Sequence, residues 1–378
     1  MTHTAQSYDP EERRNTPLAR KLNERLKRDK WMLVGEYVWI CLDDPVCGYY
    51  RGRAGIGAAG DFVTAPEISQ VFGELIGLWS AVVWQQMGCP KPFRLIELGP
   101  GKGTMMRDAL RAMRIVPGLL EAVEVLLIDT DPALIAAQRA ALTELAVSVQ
   151  WLGRIEDLQP ANATIVLGNE YLDTRGVQQY ILSGGLVYER TVELDANDDF
   201  VFSCKDKPES FDIERLKREF GDLKDGTIIE SQPNVQPAGT LKRIAAAGPM
   251  AALFIDYGQT GVPEVSVGDS LQAVRQHRYE HVFTSPGEAD LTAQVNFTEV
   301  AQNALDAGMV VDGPTTQAEF LGRLGIIERA SKLMGANPGK AGEIEAGVMR
   351  LMAPNGMGTR LKVIGIRSPN VAKLPGFE

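Results

Sequence analysis

A short apolar run, Phe93–Leu98, ends in three glycines at alternate positions, Gly99, Gly101 and Gly103, and a helix-forming stretch follows from Thr104 to Arg114. Few folds accommodate a strand, a tight glycine turn and a helix in that order. Glycine adopts positive φ without strain and lets the backbone approach a ligand closely, so the turn belongs at a binding crevice. The alternation then repeats. Val123–Ile128 reads as a second strand, Pro132–Leu145 as a helix, Val147–Leu152 as a third strand and Thr164–Leu167 as a fourth. Ala251–Ile255 is a fifth, and Val310–Val311 and Lys362–Ile366 come late, with helices near 316–335 and 340–352 between them. Strands alternating with helices at this spacing predict an α/β fold: a parallel, Rossmann-like sheet wound by helices.

The alternation is interrupted twice. Residues 16–90 read as a helical N-terminal cap: Leu18, Leu22, Leu26 and Trp31 form one stripe, and a further helix is expected from about Pro66 to Met87. Residues 175–245 read as an α+β insertion between the fourth and fifth strands. Its strands are expected at Val177–Leu182, Leu186–Leu194 and Phe200–Cys204, joined by the turns Ser183-Gly184-Gly185 and Asn197-Asp198-Asp199. The core is then 91–174 together with 246–378. Within it, 262–308 is expected to be loop and helix. The polar residues 1–15 are expected to form a disordered lead.

Composition narrows the function. Hydrophobic residues make up 44% and charged residues 23%, as in a soluble globular protein. The formal net charge of -10 repels phosphate backbones, so no nucleic-acid partner is expected. The basic run Arg20–Arg28 has helical spacing with Leu22 and Leu26 and reads as a solvated face. No run reaches the ~18 consecutive apolar residues of a membrane span. The four cysteines, 41, 47, 89 and 204, form no CxxC pair, which predicts a reducing compartment and no metal site. Asp9, Glu11 and Glu12, without an apolar signal core, argue against a targeting peptide. The expected location is the cytoplasm, or the mitochondrial matrix in a eukaryote.

The glycine spacing departs from the dinucleotide G-x-G-x-x-G, which disfavours a nicotinamide oxidoreductase. Lys102 is followed by Gly103 and not by Ser or Thr, which excludes a P-loop. Glu97, just before the turn, is the informative residue. A carboxylate there repels a pyrophosphate and attracts the ammonium of S-adenosylmethionine. Asp129, directly after the second strand, stands where wound α/β folds hold ribose hydroxyls; Asp131 is better placed to cap the helix beginning at Pro132. After the fourth strand come Asn169, Glu170 and Asp173. Glu170 and Asp173 are candidate catalytic carboxylates, able to orient an acceptor nitrogen or take its proton, although Asn169 and Glu170 can equally cap a helix. A helical turn after Glu170 would place Asp173 on the same face.

The segments Gly60–Glu74, Glu97–Thr104, Asn169–Asp173, Ile255–Gly258 and Pro286–Ala293 resemble, in order and spacing, the MidA-like family of S-adenosylmethionine-dependent methyltransferases. The resemblance runs from about residue 31 to residue 367. Its mitochondrial member is a protein-arginine methyltransferase that modifies a subunit of respiratory complex I and assists assembly of that complex. The resemblance therefore implies S-adenosyl-L-methionine as cofactor, a protein partner and an arginine acceptor. Glu97, Gly99, Gly101, Gly103 and Thr104 would hold the methionine end, with Asn169 and Asp129 also on the cofactor side. Thr64, Pro66 and Glu67 would close over it, and Thr64 with Glu67 also reads as a capping box. Two histidines of the family pattern are replaced here, by Gln178 and Gln294. These departures keep two alternatives open: an assembly protein that binds the cofactor with reduced catalysis, and a small-molecule methyltransferase with 175–245 as a lid.

Overall fold

The apolar runs of the core are buried on both faces, as strands covered by helices on either side must be. The structure is a computed structural model and describes residues 9–51, 63–160, 162–232, 238–262 and 265–377. The main path of its central sheet consists of β1 (Phe93–Leu98), β2 (Val123–Ile128), β3 (Ser148–Leu152), β4 (Ala163–Asn169), β5 (Met250–Gln259), β6 (Val310–Thr316) and β7 (Leu361–Arg367), and a two-residue strand, Val295–Asn296, pairs with the end of β5 off that path. Their spatial order is 3-2-1-4-5-7-6. Strands β1 to β5 are parallel, and β7 runs antiparallel between β5 and β6. That reversed last strand separates this sheet from the dinucleotide order 3-2-1-4-5-6.

Side chains alternate across the sheet. Leu95, Val125, Ile165 and Leu253 pack on one face against Phe72, Trp79, Met106 and Leu110. Ile96, Leu126, Val166 and Phe254 pack on the other, against Leu241, Ile244, Phe297 and Val300. The helices before and among these strands are α1 (Pro17–Asp29), α2 (Val34–Asp43), α3 (Ala65–Ile68), α4 (Gln70–Gln86), α5 (Thr104–Met113) and α6 (Pro132–Leu142).

Several expectations need correcting. The single helix expected over 66–87 is two, α3 and α4, broken at Ser69. Ser69 is extended (φ -153°, ψ 128°), and its hydroxyl accepts the Val71 N–H at 3.3 Å. A serine that caps the next helix ends the one before it. The lead is ordered from Asp9 onward. Arg13 pairs with Asp199 at 2.9 Å, Arg14 with Glu288 at 2.8 Å, and the Arg14 N–H donates to the Thr284 carbonyl at 2.8 Å. Polar composition hid these docking partners, which lie far along the chain. Residues 1–8 of the lead, and Gly60, Asp61 and Phe62 of the family segment Gly60–Glu74, lie outside the described residues.

The cap also contains a strand, Trp31–Leu33, which joins the antiparallel sheet of the insertion by pairing with Leu186–Leu194. The segment 262–308 contains a three-stranded sheet, Gln272–Arg275, Arg278–Glu280 and Asp290–Thr292, before the helix Phe297–Asp306. Strands of three or four residues are too short to show a period in sequence. Among the described residues no helix is long and apolar enough to cross a membrane.

Candidate active site

A cavity of about 640 Å³ opens at the C-terminal ends of β1, β2 and β4. In wound sheets this is the crevice where ligands bind, at the point where strand order reverses. The glycine turn forms its floor. Gly99, Gly101 and Gly103 have φ of 60°, 51° and 80°, a region that strains other residues. Gly99 and Gly101 line the cavity, but Gly103 does not. A Cβ on Gly103 would lie 3.2 Å from the Gln138 Cα, so this glycine lets α5 start against α6.

Glu97, the last residue but one of β1, is almost wholly buried, and burial pushes its carboxyl up to about 8. Its Oε2 has no hydrogen-bond partner among the described residues, and neither has Oδ1 of Asn169 on adjacent β4. Both residues line the cavity. Unpaired buried acceptors are costly, and two beside one cavity form a seat for a ligand that brings N–H donors.

Asp129 lines the cavity at the end of β2. Its Oδ1 accepts the Asp131 N–H at 2.9 Å and its Oδ2 accepts Gln138 Nε2 at 2.7 Å; burial raises its pKa. Asp131 caps α6, accepting the N–H groups of Ala133 and Leu134 at 2.6 and 3.0 Å. Gln138 was not singled out in sequence. It is fully buried and also donates to the Gly101 carbonyl at 2.8 Å, while accepting Trp151 Nε1 at 2.8 Å. It thus fastens the acid to the glycine turn. Its signal was legible: a polar residue four positions from Leu134 and four from Leu142, in the apolar stripe of α6.

On the N-terminal side Thr64, Pro66 and Glu67 line the cavity, as does Thr104. The capping box does not form, because Thr64 makes no side-chain cap bond. Glu67 instead accepts the Thr104 hydroxyl, which ties α3 to the start of α5.

Glu170 follows β4 with φ 49° and lines the cavity. Its Oε1 accepts the Ala65 N–H and Asn169 Nδ2, each at 3.1 Å. Burial pushes its carboxyl up to about 7. Asp173 does not join it. The chain turns without forming a helix after Glu170, and Asp173 is buried away from the cavity, its pKa raised by burial and then by Asp256, Asp290 and Glu170. The cause is Asp256, whose Oδ2 captures the N–H groups of Leu172 and Asp173 at 2.6 and 3.3 Å. Tyr171 and Arg175 also line the cavity, the guanidinium carbon lying 4.2 Å from the ring centroid. Neither His277 nor His281 lines it; burial pushes His281 down to about 4.

A sheet ordered 3-2-1-4-5-7-6, a glycine turn after β1 and an acid after β2 define a Rossmann-like methyltransferase fold. The chain belongs to the family described as "Putative S-adenosyl-L-methionine-dependent methyltransferase", whose model matches residues 75–315. It is an S-adenosylmethionine-dependent methyltransferase. It is 31% identical to the Drosophila melanogaster "Protein arginine methyltransferase NDUFAF7 homolog, mitochondrial", over 96% of this chain and 88% of the relative. It is 29% identical to the Homo sapiens "Protein arginine methyltransferase NDUFAF7, mitochondrial", over 95% and 85%. The relatives' mitochondrial names conflict with the cytoplasmic location expected above. A crystal structure from Burkholderia thailandensis bound to S-adenosyl-homocysteine superposes with TM-score 0.80 at 25% identity, covering 95% of this chain and 93% of that one. A native structure from the same organism gives 0.78 at 26%, covering 95% and 94%.

Proposed function

We propose that this enzyme methylates an arginine side chain on a protein partner. The observation that carries the reading is Glu170: a buried carboxylate, fixed through one oxygen, at the edge of the cavity whose floor is the glycine turn. The relatives' names as protein arginine methyltransferases support it. When bound, S-adenosylmethionine supplies an electrophilic methyl group on a sulfonium. Glu97 and Asn169 offer their unpaired oxygens to its ammonium, Asp129 accepts from the ribose hydroxyls, and Gly99 and Gly101 let the backbone approach it. Glu170 pairs with the acceptor guanidinium, orients one nitrogen and holds the proton that nitrogen gives up. Asp173, set behind the turn, shapes this site electrostatically and touches no ligand.

The resemblance to the MidA-like family extends the proposal to a subunit of respiratory complex I as the partner. The compartment is then the one that holds this partner, the matrix in a eukaryote and the cytoplasm otherwise. Incubation of the purified protein with methyl-labelled cofactor in an extract, followed by identification of the labelled species, tests the reading. Label on arginine in one protein is the expected result. Label in a small molecule overturns the protein acceptor and favours a pocket enzyme.

A further inference from the structure

The loop after β4 is held by a carboxylate that does not line the cavity. Asp256, on β5, is fully buried and accepts three backbone N–H groups: Leu172 at 2.6 Å and Asp173 at 3.3 Å on Oδ2, and Tyr257 at 2.8 Å on Oδ1. The Glu170 N–H donates to the Ile255 carbonyl at 2.8 Å, immediately before Asp256. Glu170 is therefore clamped on both sides by β5, through its own amide and through the two residues that follow Tyr171. This clamp accounts for its φ of 49°, which a non-glycine residue rarely adopts without outside restraint.

Burial drives the carboxyls of Asp256 and Glu170 upward, and the charge of Glu170 further discourages ionisation of Asp256. Their hydrogen bonds differ. Donors stabilise the charged form of a carboxylate. Asp256 has three backbone donors spread over both oxygens, whereas Glu170 has two donors on one oxygen. The other charged and titratable groups acting on the pair are Asp173 and Tyr257 beside it and Arg350 from the helix Ala341–Met352. Behind Asp173 lie Asp290 and Tyr50, whose hydroxyl donates to Asp290 at 2.9 Å.

We infer that Asp256 is a positioning residue for methyl transfer: by accepting the N–H groups of Leu172 and Asp173 it holds the loop that aims Glu170 at the cavity. The inference rests on the reading that Glu170 serves the acceptor nitrogen. Asp256 touches neither ligand and acts through the backbone and through its charge.

Carboxyl-carbon NMR on the full-length protein with S-adenosyl-homocysteine tests this without a methyl acceptor. The Glu170 signal is assigned by its loss in Glu170→Gln, and that of Asp256 by its loss in Asp256→Asn. The expected result is a Glu170 carboxyl that titrates near neutrality in the parent. In Asp256→Asn the Leu172 and Asp173 amides should exchange about tenfold faster or more, as locally opened backbone does, and the Glu170 midpoint should fall. Affinity for S-adenosyl-homocysteine should stay within about twofold, because the glycine turn is untouched. If Asp256→Asn does not fold, exchange of the Leu172 and Asp173 amides in the parent decides, and amides no better protected than exposed loops overturn the inference. Unchanged amide exchange in Asp256→Asn overturns the inference, as does a Glu170 midpoint that does not move. Failure to label arginine overturns the proposed acceptor but leaves this titration able to judge the pair.

Discussion

Gly101 and Glu170 both sit at positive φ, 51° and 49°, and they differ in what substitution does. A valine at 101 combines a strained backbone, on the order of 1–3 kcal/mol, with a branched side chain projecting at the cavity. Calorimetry should show Gly101→Val binding S-adenosyl-homocysteine at least about tenfold more weakly; undiminished binding would remove the cofactor from this turn. Glu170→Gln keeps backbone and shape and removes the charge. Cofactor-product affinity should hold within about twofold, while arginine methylation falls by roughly 10²-fold, the scale of a positioned acid–base group. Comparable turnover would make Glu170 structural. Glu97, Asn169 and Glu170 stood out in the sequence because charged or amide residues at the ends of apolar strands face a crevice. The placement of Asp173 was not legible there, because the side chain that redirects its backbone, Asp256, is 83 residues further along.

At the scale of elements, periodicity made the wound core readable: every strand from β1 to β7 overlaps an apolar run picked out in the sequence. What it left out are contacts without a period: the Ser69 break, the three-residue strands, and the entry of Trp31–Leu33 into the insertion's sheet. Gln138 illustrates the intermediate case. It occupies an apolar position of α6 yet holds Asp129, Gly101 and Trp151 together. Gln138→Leu preserves the stripe and leaves the Trp151 indole N–H and the Gly101 carbonyl without this partner. Burying unpaired polar groups costs about 1–3 kcal/mol each, so chemical unfolding should show a loss of that size. Affinity for S-adenosyl-homocysteine should fall with it, since Asp129 loses its tether. Parental stability and affinity together would reduce Gln138 to a space-filling role.

Over the whole molecule, the charges that matter most lie inside. Burial is the largest cause raising Glu97 to about 8 and Glu170, Glu230 and Asp256 to about 7. In the unfolded chain such carboxyls titrate near 4. Between about pH 4.5 and pH 8 the folded state therefore binds more protons than the unfolded one, and stability declines as pH rises through that window. Asp44 and Glu319, held down at about 2 by hydrogen bonds to their ionised forms, act in the opposite sense, but only below about pH 4. The ligand-free protein should thus melt at a lower temperature at pH 8 than at pH 6. S-adenosyl-homocysteine should offset part of that loss. If its ammonium sits against Glu97, binding favours the ionised carboxylate, releases a proton, and tightens as pH rises toward about 8. The thermal shift it produces should consequently be larger at pH 8 than at pH 6, with proton release visible as a buffer-dependent binding enthalpy. Glu97→Gln should abolish both the proton release and most of the pH dependence. A parental shift that is the same at both pH values would mean that Glu97 does not meet the ammonium, and the methionine end would then have to be seated elsewhere along the cavity.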